Sequence, residues 1–333
     1  MSSLIKVGIL RGGIGHEYEV SLKTGASVIK NLPSDKYQPV DMLLSRDGTW
    51  HVNGAPMSPE RAVRSVDVIF NALHGEFGED GQVQQLLDYL AVPYTGSGMV
   101  ASALGMDKPR AKEVFKKAGI KVPNGVVVKR DYQTLRQDSG QADAEAIAHD
   151  VFRQISPPWI VKPAGSGSSV GLYLAKTFPE LVQAVESCFN FSDAVLVEEY
   201  IKGKEATCGV VDGMRGKNHY SLLPIEIVTP SDKNLFDYEA KYTGITSEIC
   251  PGRFTKEEKA ELERLAAEIH KVLGLRHYSR SDFIISPRGI YALEVNTLPG
   301  MTEESLIPKS LRAAGIPYDQ FLDHVITLAL NKK

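Results

Sequence analysis

The stretch Ile290–Thr302 reads IYALEVNTLPGMT and sets a carboxylate, Glu294, and an amide, Asn296, two residues apart in an otherwise apolar strand. Alternation would put Ile290, Ala292, Glu294 and Asn296 on one face, with Tyr291, Leu293 and Val295 on the other. Carboxylate and amide oxygens are hard donors, the ligands by which Mg²⁺ is usually held beside phosphates. The segment HYSRSDFII (277–285) precedes this strand and is joined to it by SPRGI. Pro287 suits the second position of a type I turn, and Gly289 suits the left-handed residue of a three-residue hairpin loop. Such a loop sets Ser286 opposite Ile290, Ile284 opposite Ala292, Asp282 opposite Glu294 and Arg280 opposite Asn296, all on one face. A two-residue loop would turn Asp282 to the other face. Opposed like charges destabilise a sheet, so Asp282 against Glu294 calls for a cation such as Mg²⁺, or for Arg280 as a bridge.

A second stretch, WIVKPAGSGSSVGLYLAK (159–176), has an apolar strand reaching Lys162, a glycine-serine loop from Gly165 to Ser169, and a strand beginning near Gly171. Backbone N–H groups and hydroxyls in such a loop can approach phosphate oxygens while the lysine adds charge, although a plain hairpin has the same outline. The strand-loop-strand order excludes a P-loop, which leads into a helix. Tyr18 and Val170 occupy the third-glycine places of the two candidate dinucleotide fingerprints, which argues against a nicotinamide enzyme.

The elements that must carry these residues come from the rest of the chain. Short apolar strands (IKVGIL, DVIFNAL, VPYTG) alternate with helical stretches over the first third, the pattern of a doubly wound parallel sheet. This predicts an N-terminal α/β domain over residues 1–104. Mixed helices and strands follow, giving a smaller α+β unit over 105–200 and a further one over 201–333 with the long helix KEEKAELERLAAEIHKVLGL. No repeat or linker rich in Gly and Ser separates them, so the domains should pack closely. The 333 residues, 43% hydrophobic and 24% charged, suit a globular chain of two or three domains. A net charge of -3 gives no general attraction to nucleic acid or an anionic membrane, which points to a small-molecule partner. No apolar run approaches the ~20 residues of a spanning helix, and the N-terminus is unlike a signal peptide, so a cytoplasmic protein is expected. Cys188, Cys208 and Cys250 have neither disulfide nor zinc spacing.

The ordered set LHGEFGEDG (73–81), YTGSGMVASALGMDK (94–108), VKPAGSGSSVG (161–171), DYEAKY (237–242), RSDF (280–283) and LEVNTLPGMTEESLIP (293–308) resembles the D-alanine:D-alanine ligases of the ATP-grasp superfamily over nearly the whole chain. The resemblance implies an α/β fold in which an N-terminal domain is followed by two ATP-grasp subdomains, with ATP held between the latter. It implies ATP-dependent joining of two D-alanines through a D-alanyl phosphate, for peptidoglycan precursors. By that likeness Asp282, Glu294 and Asn296 coordinate two Mg²⁺ ions, with Mn²⁺ able to substitute, and Lys108 and Lys162 contact the phosphates. Lys241 supports the nucleotide, Glu198, Glu199, Tyr200 and Ile201 line the adenine pocket, and Glu205 binds the ribose. The three glutamates also fit a solvated acidic strand edge.

Glu17 matches the carboxylate that holds the first substrate's ammonium, with Ser168 and Tyr242 as its partners in a loop that closes over the site. Arg280 and the Gly300 N–H match the oxyanion donors, with charge balance on the metal face as the lesser alternative for Arg280. His74 matches a histidine near the substrate carboxylates, and Ser305 with the Leu306 backbone matches the second carboxylate site. One position departs from the family's Gly-Gly-x-Ser pattern, with Gly15 in the serine place. Tyr242 favours an amine as second substrate over D-lactate; D-serine or D-lactate in that role is the neighbouring reading. A non-catalytic ATP-binding regulatory module would lack a ligand or lysine of the set, and none is missing. The resemblance also implies a homodimer formed through the first domain.

Overall fold

The computed structural model describes residues 4–130, 140–165, 171–228 and 247–331, and these form three sheets. In the first, β1 (Ile5–Gly12) lies between β2 (Tyr37–Leu44) and β5 (Val68–Asn71), parallel to both. Val7, Ile9 and Leu10 of β1 are all fully buried because helices cover both faces: Ile9 joins one core cluster and Leu10 another. The covering elements are α1 (Tyr18–Asn31), α2 (Pro59–Val63), α3 (Gln82–Tyr89) and α4 (Met99–Met106). The sheet is not purely parallel. β3 (Trp50–Val52) and β4 (Ala55–Pro56) extend it antiparallel from β2, turning at Asn53-Gly54, where φ is 49° and 84°.

α5 (Lys108–Lys117) leads into the second sheet, built from β6 (Gly125–Lys129), β7 (Trp159–Pro163), β8 (Tyr173–Ala175) and β9 (Ala194–Glu199) in the antiparallel order β6-β9-β7-β8. α6 (Gly140–Gln154) and α7 (Phe178–Cys188) cover one face, where Trp159 and Val161 of β7 are buried. Alternation then sends Ile160 and Lys162 of the same strand to the uncovered face.

The third sheet has β10 (Lys204–Asp212) at its centre, paired with β11 (His219–Ser221) and β12 (Ile225–Val228) on one side and β14 (Tyr278–Ser286) on the other; β13 (Ser247–Ile249) and β15 (Gly289–Asn296) complete it. α8 (Lys256–Val272) opens with a capping box of Thr255 and Glu258 and lays Leu262, Leu265, Ala266 and Ile269 against the sheet. α9 (Leu306–Ala313) and α10 (Tyr318–Leu330) return to the first sheet, so that Leu311, Phe321 and Val325 share a core cluster with Val7, Ile9 and Phe70.

The β14–β15 hairpin differs from the sequence expectation near its turn. Ser286 pairs with Gly289, Ile284 with Tyr291 and Phe283 with Ala292, so the loop holds two residues, Pro287 and Arg288, and the pairs Ser286–Ile290 and Ile284–Ala292 do not form. The register then shifts by one at a bulge, and beyond it Asp282 meets Glu294 and Arg280 meets Asn296, as expected. One surplus residue is required for that pairing, and it sits at Leu293 rather than in the loop. Ile290 and Ala292 therefore do not share the face of Glu294: they turn to the core against α8, while Leu293 and Glu294 both border the cleft.

Candidate active site

A cleft opens between the second and third sheets. Of the residues singled out in the sequence, it is lined by Lys108, Lys162, Glu198, Glu199, Tyr200, Ile201, Glu205, Arg280, Asp282, Glu294 and Leu306. Its apolar walls come from Pro123, Ile160, Leu172, Ile227 and Leu293. Apolar walls beside a few convergent charged groups are the usual form of a small-molecule or cofactor site.

The acidic face is built on β10, β14 and β15. Asp282 accepts from Thr207 Oγ1 at 2.6 Å and receives a two-pronged contact from Arg280, Nε to Oδ1 at 3.0 Å and Nη2 to Oδ2 at 3.1 Å. Lys108 Nζ lies 3.8 Å from Glu294 Oε2, and Asn296 Oδ1 accepts the Leu298 N–H at 3.0 Å, which uses one of its two lone pairs. Arg280 thus pairs with Asp282, one half of the bridging arrangement open from sequence. The cation arrangement is compatible with it: the Asp282 and Glu294 side chains stay 21% and 27% exposed, and two carboxylates and an amide form a hard oxygen set suited to Mg²⁺. Burial lowers the Arg280 pKa, but Asp282 and Glu294 outweigh it and hold the guanidinium charged.

The lysine end has a buried partner. Lys162 Nζ contacts Glu198 Oε2 at 3.0 Å, and Lys112, one turn along α5 from Lys108, pairs with the other oxygen. Burial brings the Lys112 pKa down to about 8, the attraction of Glu198 opposing it. Burial also disfavours the Lys162 charge, yet Glu198 and Glu294 raise its pKa overall. Burial would raise the Glu198 pKa, but the two ammonium groups lower it. Glu199 accepts the Asn124 N–H at 3.0 Å and Arg288 Nη2 at 2.9 Å, tying β9 to the β14–β15 turn. Neither glutamate is a solvated strand edge; Tyr200 and Glu205 lie close enough for the Glu205 charge to affect the phenol, whose pKa is raised chiefly by burial.

Other predicted residues gather between the first sheet and the turn after β15. Glu17 stands at the N-cap of α1, and a Cβ on Gly75, whose φ is +66°, would collide with its carboxylate. A Cβ at Gly15 would come within 3.3 Å of Glu76 Cβ, so the smaller residue in the serine place fits the crowding there. His74 is buried, with Nε2 2.9 Å from Thr24 Oγ1 and Nδ1 3.6 Å from Glu79 Oε1. Burial opposes its protonation, but Glu79 and Glu17 raise its pKa. Thr24 Oγ1 also accepts the Met301 N–H at 3.5 Å, linking α1 to the LPGM turn. A Cβ on Gly300 would lie 2.9 Å from Ser305 Oγ, so the glycine permits this close turn. Ser305 begins α9 but makes no side-chain cap bond to it; its Oγ accepts the Thr302 N–H at 3.0 Å instead. The first helical N–H, that of Leu306, is the group a helix start offers to a carboxylate.

Ser168, Lys241 and Tyr242 lie outside the described residues. Sequence reasoning missed Lys112, Thr207, Glu79 and Leu293. Lys112 had a signal, being four residues from Lys108 on one helix. Thr207 had another, two residues from Glu205 on a strand.

A cleft between two antiparallel sheets, where lysines and acids converge beside apolar walls, is the arrangement of the ATP-grasp class. Family descriptions agree: "D-ala D-ala ligase N-terminus" matches residues 54–97 and "D-ala D-ala ligase C-terminus" matches 114–327. The chain is 38% identical to a D-alanine–D-alanine ligase of Halalkalibacterium halodurans, covering 98% of this chain and 100% of that protein. It is 39% identical to one of Geobacter sulfurreducens, covering 97% and 94%. Among solved structures, the VanG D-Ala:D-Ser ligase of Enterococcus faecalis aligns with a TM-score of 0.82 at 30% identity, covering 98% of this chain and 100% of that one. The D-alanine–D-alanine ligase of Bacillus anthracis complexed with ATP aligns at 0.76 and 30% identity, covering 98% and 97%. The chain belongs to the D-alanine–D-alanine ligase family.

Proposed function

We propose that this chain joins two D-alanines into D-alanyl-D-alanine at the expense of ATP, through a D-alanyl phosphate, for cell-wall precursors. The observation that carries the reading is the convergence of Asp282 and Glu294 with Lys108 and Lys162 on one cleft, Asn296 following Glu294 by two residues on the same strand. Those three side chains hold Mg²⁺, two ions with Mn²⁺ as a substitute, which supplies charge neutralisation at the transferring phosphate. Lys108 and Lys162 bind the phosphates from the other side, and Glu198 keeps the latter ammonium aimed at them. Leu293, Ile160 and Ile201 enclose the adenine, and Glu205 takes the ribose.

Glu17 holds the ammonium of the first D-alanine, whose carboxylate oxygen attacks the γ-phosphorus as ADP leaves. His74 stands by the substrate carboxylates. Ser305 with the Leu306 N–H orients the second D-alanine, whose amine attacks the acyl phosphate. Arg280 and the Gly300 N–H stabilise the oxyanion that forms, and inorganic phosphate leaves. Ser168, Lys241 and Tyr242 complete the reading as residues of the closing loops and nucleotide site. We further assign units near 1–104, 105–200 and 201–333, which the three sheets support, a homodimer through the first unit, and a cytoplasmic location. Among the described residues no helix is long and apolar enough to cross a membrane.

The test is phosphate release from Mg-ATP with D-alanine, alone and paired with L-alanine, D-serine or D-lactate, the products being weighed. D-alanyl-D-alanine is expected from D-alanine alone. A mixed product with D-serine in preference would support the second reading, favoured by the likeness to the D-Ala:D-Ser ligase. No ligation with any pair would overturn both.

A further inference from the structure

The third sheet holds a second cluster of ligand-type side chains at the end of β10 away from Glu205. Asp212, the last residue of that strand, has Oδ1 2.8 Å from His219 Nδ1 on β11 and 3.1 Å from His270 Nε2 on α8, and the three atoms lie within 4.8 Å of one another. Tetrahedral Zn²⁺ ligands at ~2.05 Å from the ion stand ~3.3 Å apart, so the two Asp212 distances are already within about half an ångström of that spacing.

His270 is fully buried, and its Nε2 faces the Asp212 carboxylate at 3.1 Å in a contact that lacks good hydrogen-bond alignment. A buried polar nitrogen left in this way costs free energy that a metal bond would recover. The surroundings also fix the ligands from behind: His270 Nδ1 is 2.7 Å from Ser279 Oγ, and Asp212 Oδ2 accepts the His277 N–H at 2.6 Å. Such outer hydrogen bonds orient imidazole and carboxylate toward a metal. His219, 31% exposed, gives the ion a way in.

We propose that Asp212 Oδ1, His219 Nδ1 and His270 Nε2 bind one Zn²⁺, with water as fourth ligand, as a site separate from the cleft. Two imidazoles and a carboxylate suit a borderline divalent ion, whereas the cleft's all-oxygen set suits Mg²⁺. The ion would tie β10, β11 and α8 together next to the contact between His277 Nδ1 and the Gly96 N–H of the first unit, 3.0 Å long.

The test uses the full chain without a histidine tag, stripped of metal by a chelator, then given Zn²⁺ alone in excess Mg²⁺. Bound metal is counted by mass spectrometry and the melting temperature is recorded, in the native sequence and in a Glu294→Gln background that removes competition from the cleft. One Zn²⁺ per chain and a raised melting temperature are expected in both. His219→Gln should keep the metal-free melting temperature and lose the Zn²⁺-induced rise, with affinity down at least tenfold, and Asp212→Asn should also weaken binding. No bound Zn²⁺, or binding unchanged in both variants, would overturn the proposal and leave a His-Asp-His group held by the His219–Asp212 hydrogen bond and the close contact of His270.

Discussion

Glu198 on β9 and Glu294 on β15 border the same cleft with the same side chain in opposite circumstances. Glu198 is 2% exposed and clasped by Lys112 and Lys162, whereas the Glu294 side chain is 27% exposed with Lys108 Nζ 3.8 Å away. An acid saturated by lysines is a support that aims ammonium groups. An acid that keeps oxygen surface toward the cleft can serve an incoming cation. Residue type alone does not separate the two; burial does.

Exchanging each acid for its amide sharpens this contrast. Glu294→Gln should remove several kcal/mol of transition-state charge stabilisation, about a thousandfold in ligation rate, without moving the unfolding midpoint; a coupled ADP assay with parallel urea titration checks both. Glu198→Gln should instead lower stability by about 3–5 kcal/mol, because two buried ammonium groups lose their counter-charge. Adding Lys112→Met should recover part of that loss in the same titration; no recovery would detach Lys112 from the cluster. Leu293→Ala, which opens the apolar wall beside Glu294, should raise the KM for ATP about tenfold while kcat holds. Thr207→Val deletes the hydroxyl that steadies Asp282 and should cost about 0.5–1.5 kcal/mol, seen as a higher Mg²⁺ concentration for half-maximal rate.

The smallest effect concerns pH. The His74 pKa is raised in the fold against the push of its own burial, so the folded state binds more protons than the unfolded one between the ordinary value of about 6.5 and the raised value. Its contribution is complete below that ordinary value and is lost as pH rises through the folded value. His74→Asn should flatten the stability profile in that window; an unchanged slope would separate Glu79 from the histidine.

Much of this was legible in the sequence because it depends on local period. The β1 run IKVGIL and the stripe of α8 announced their burial, and the Asp282–Glu294 and Arg280–Asn296 pairs followed from counting along two strands. The location of the surplus residue was not legible, since a loop residue and a bulge residue give the same count beyond them. Nor was the Lys112–Glu198–Lys162 group, whose members meet only when α5, packed on the third sheet, comes beside β7 and β9 of the second. Likewise Asp212, His219 and His270 come from two strands and a helix, with no spacing to betray them.

The bulge at Leu293 has an evolutionary consequence. A residue inserted in the Pro287–Arg288 turn, or Leu293 deleted, would change by one the offset that sets Asp282 against Glu294. Length changes in this hairpin should therefore survive in pairs, an insertion on one side of Ala292 matched by a deletion on the other. Related chains can exchange a bulge for a longer loop and keep the same two acids face to face.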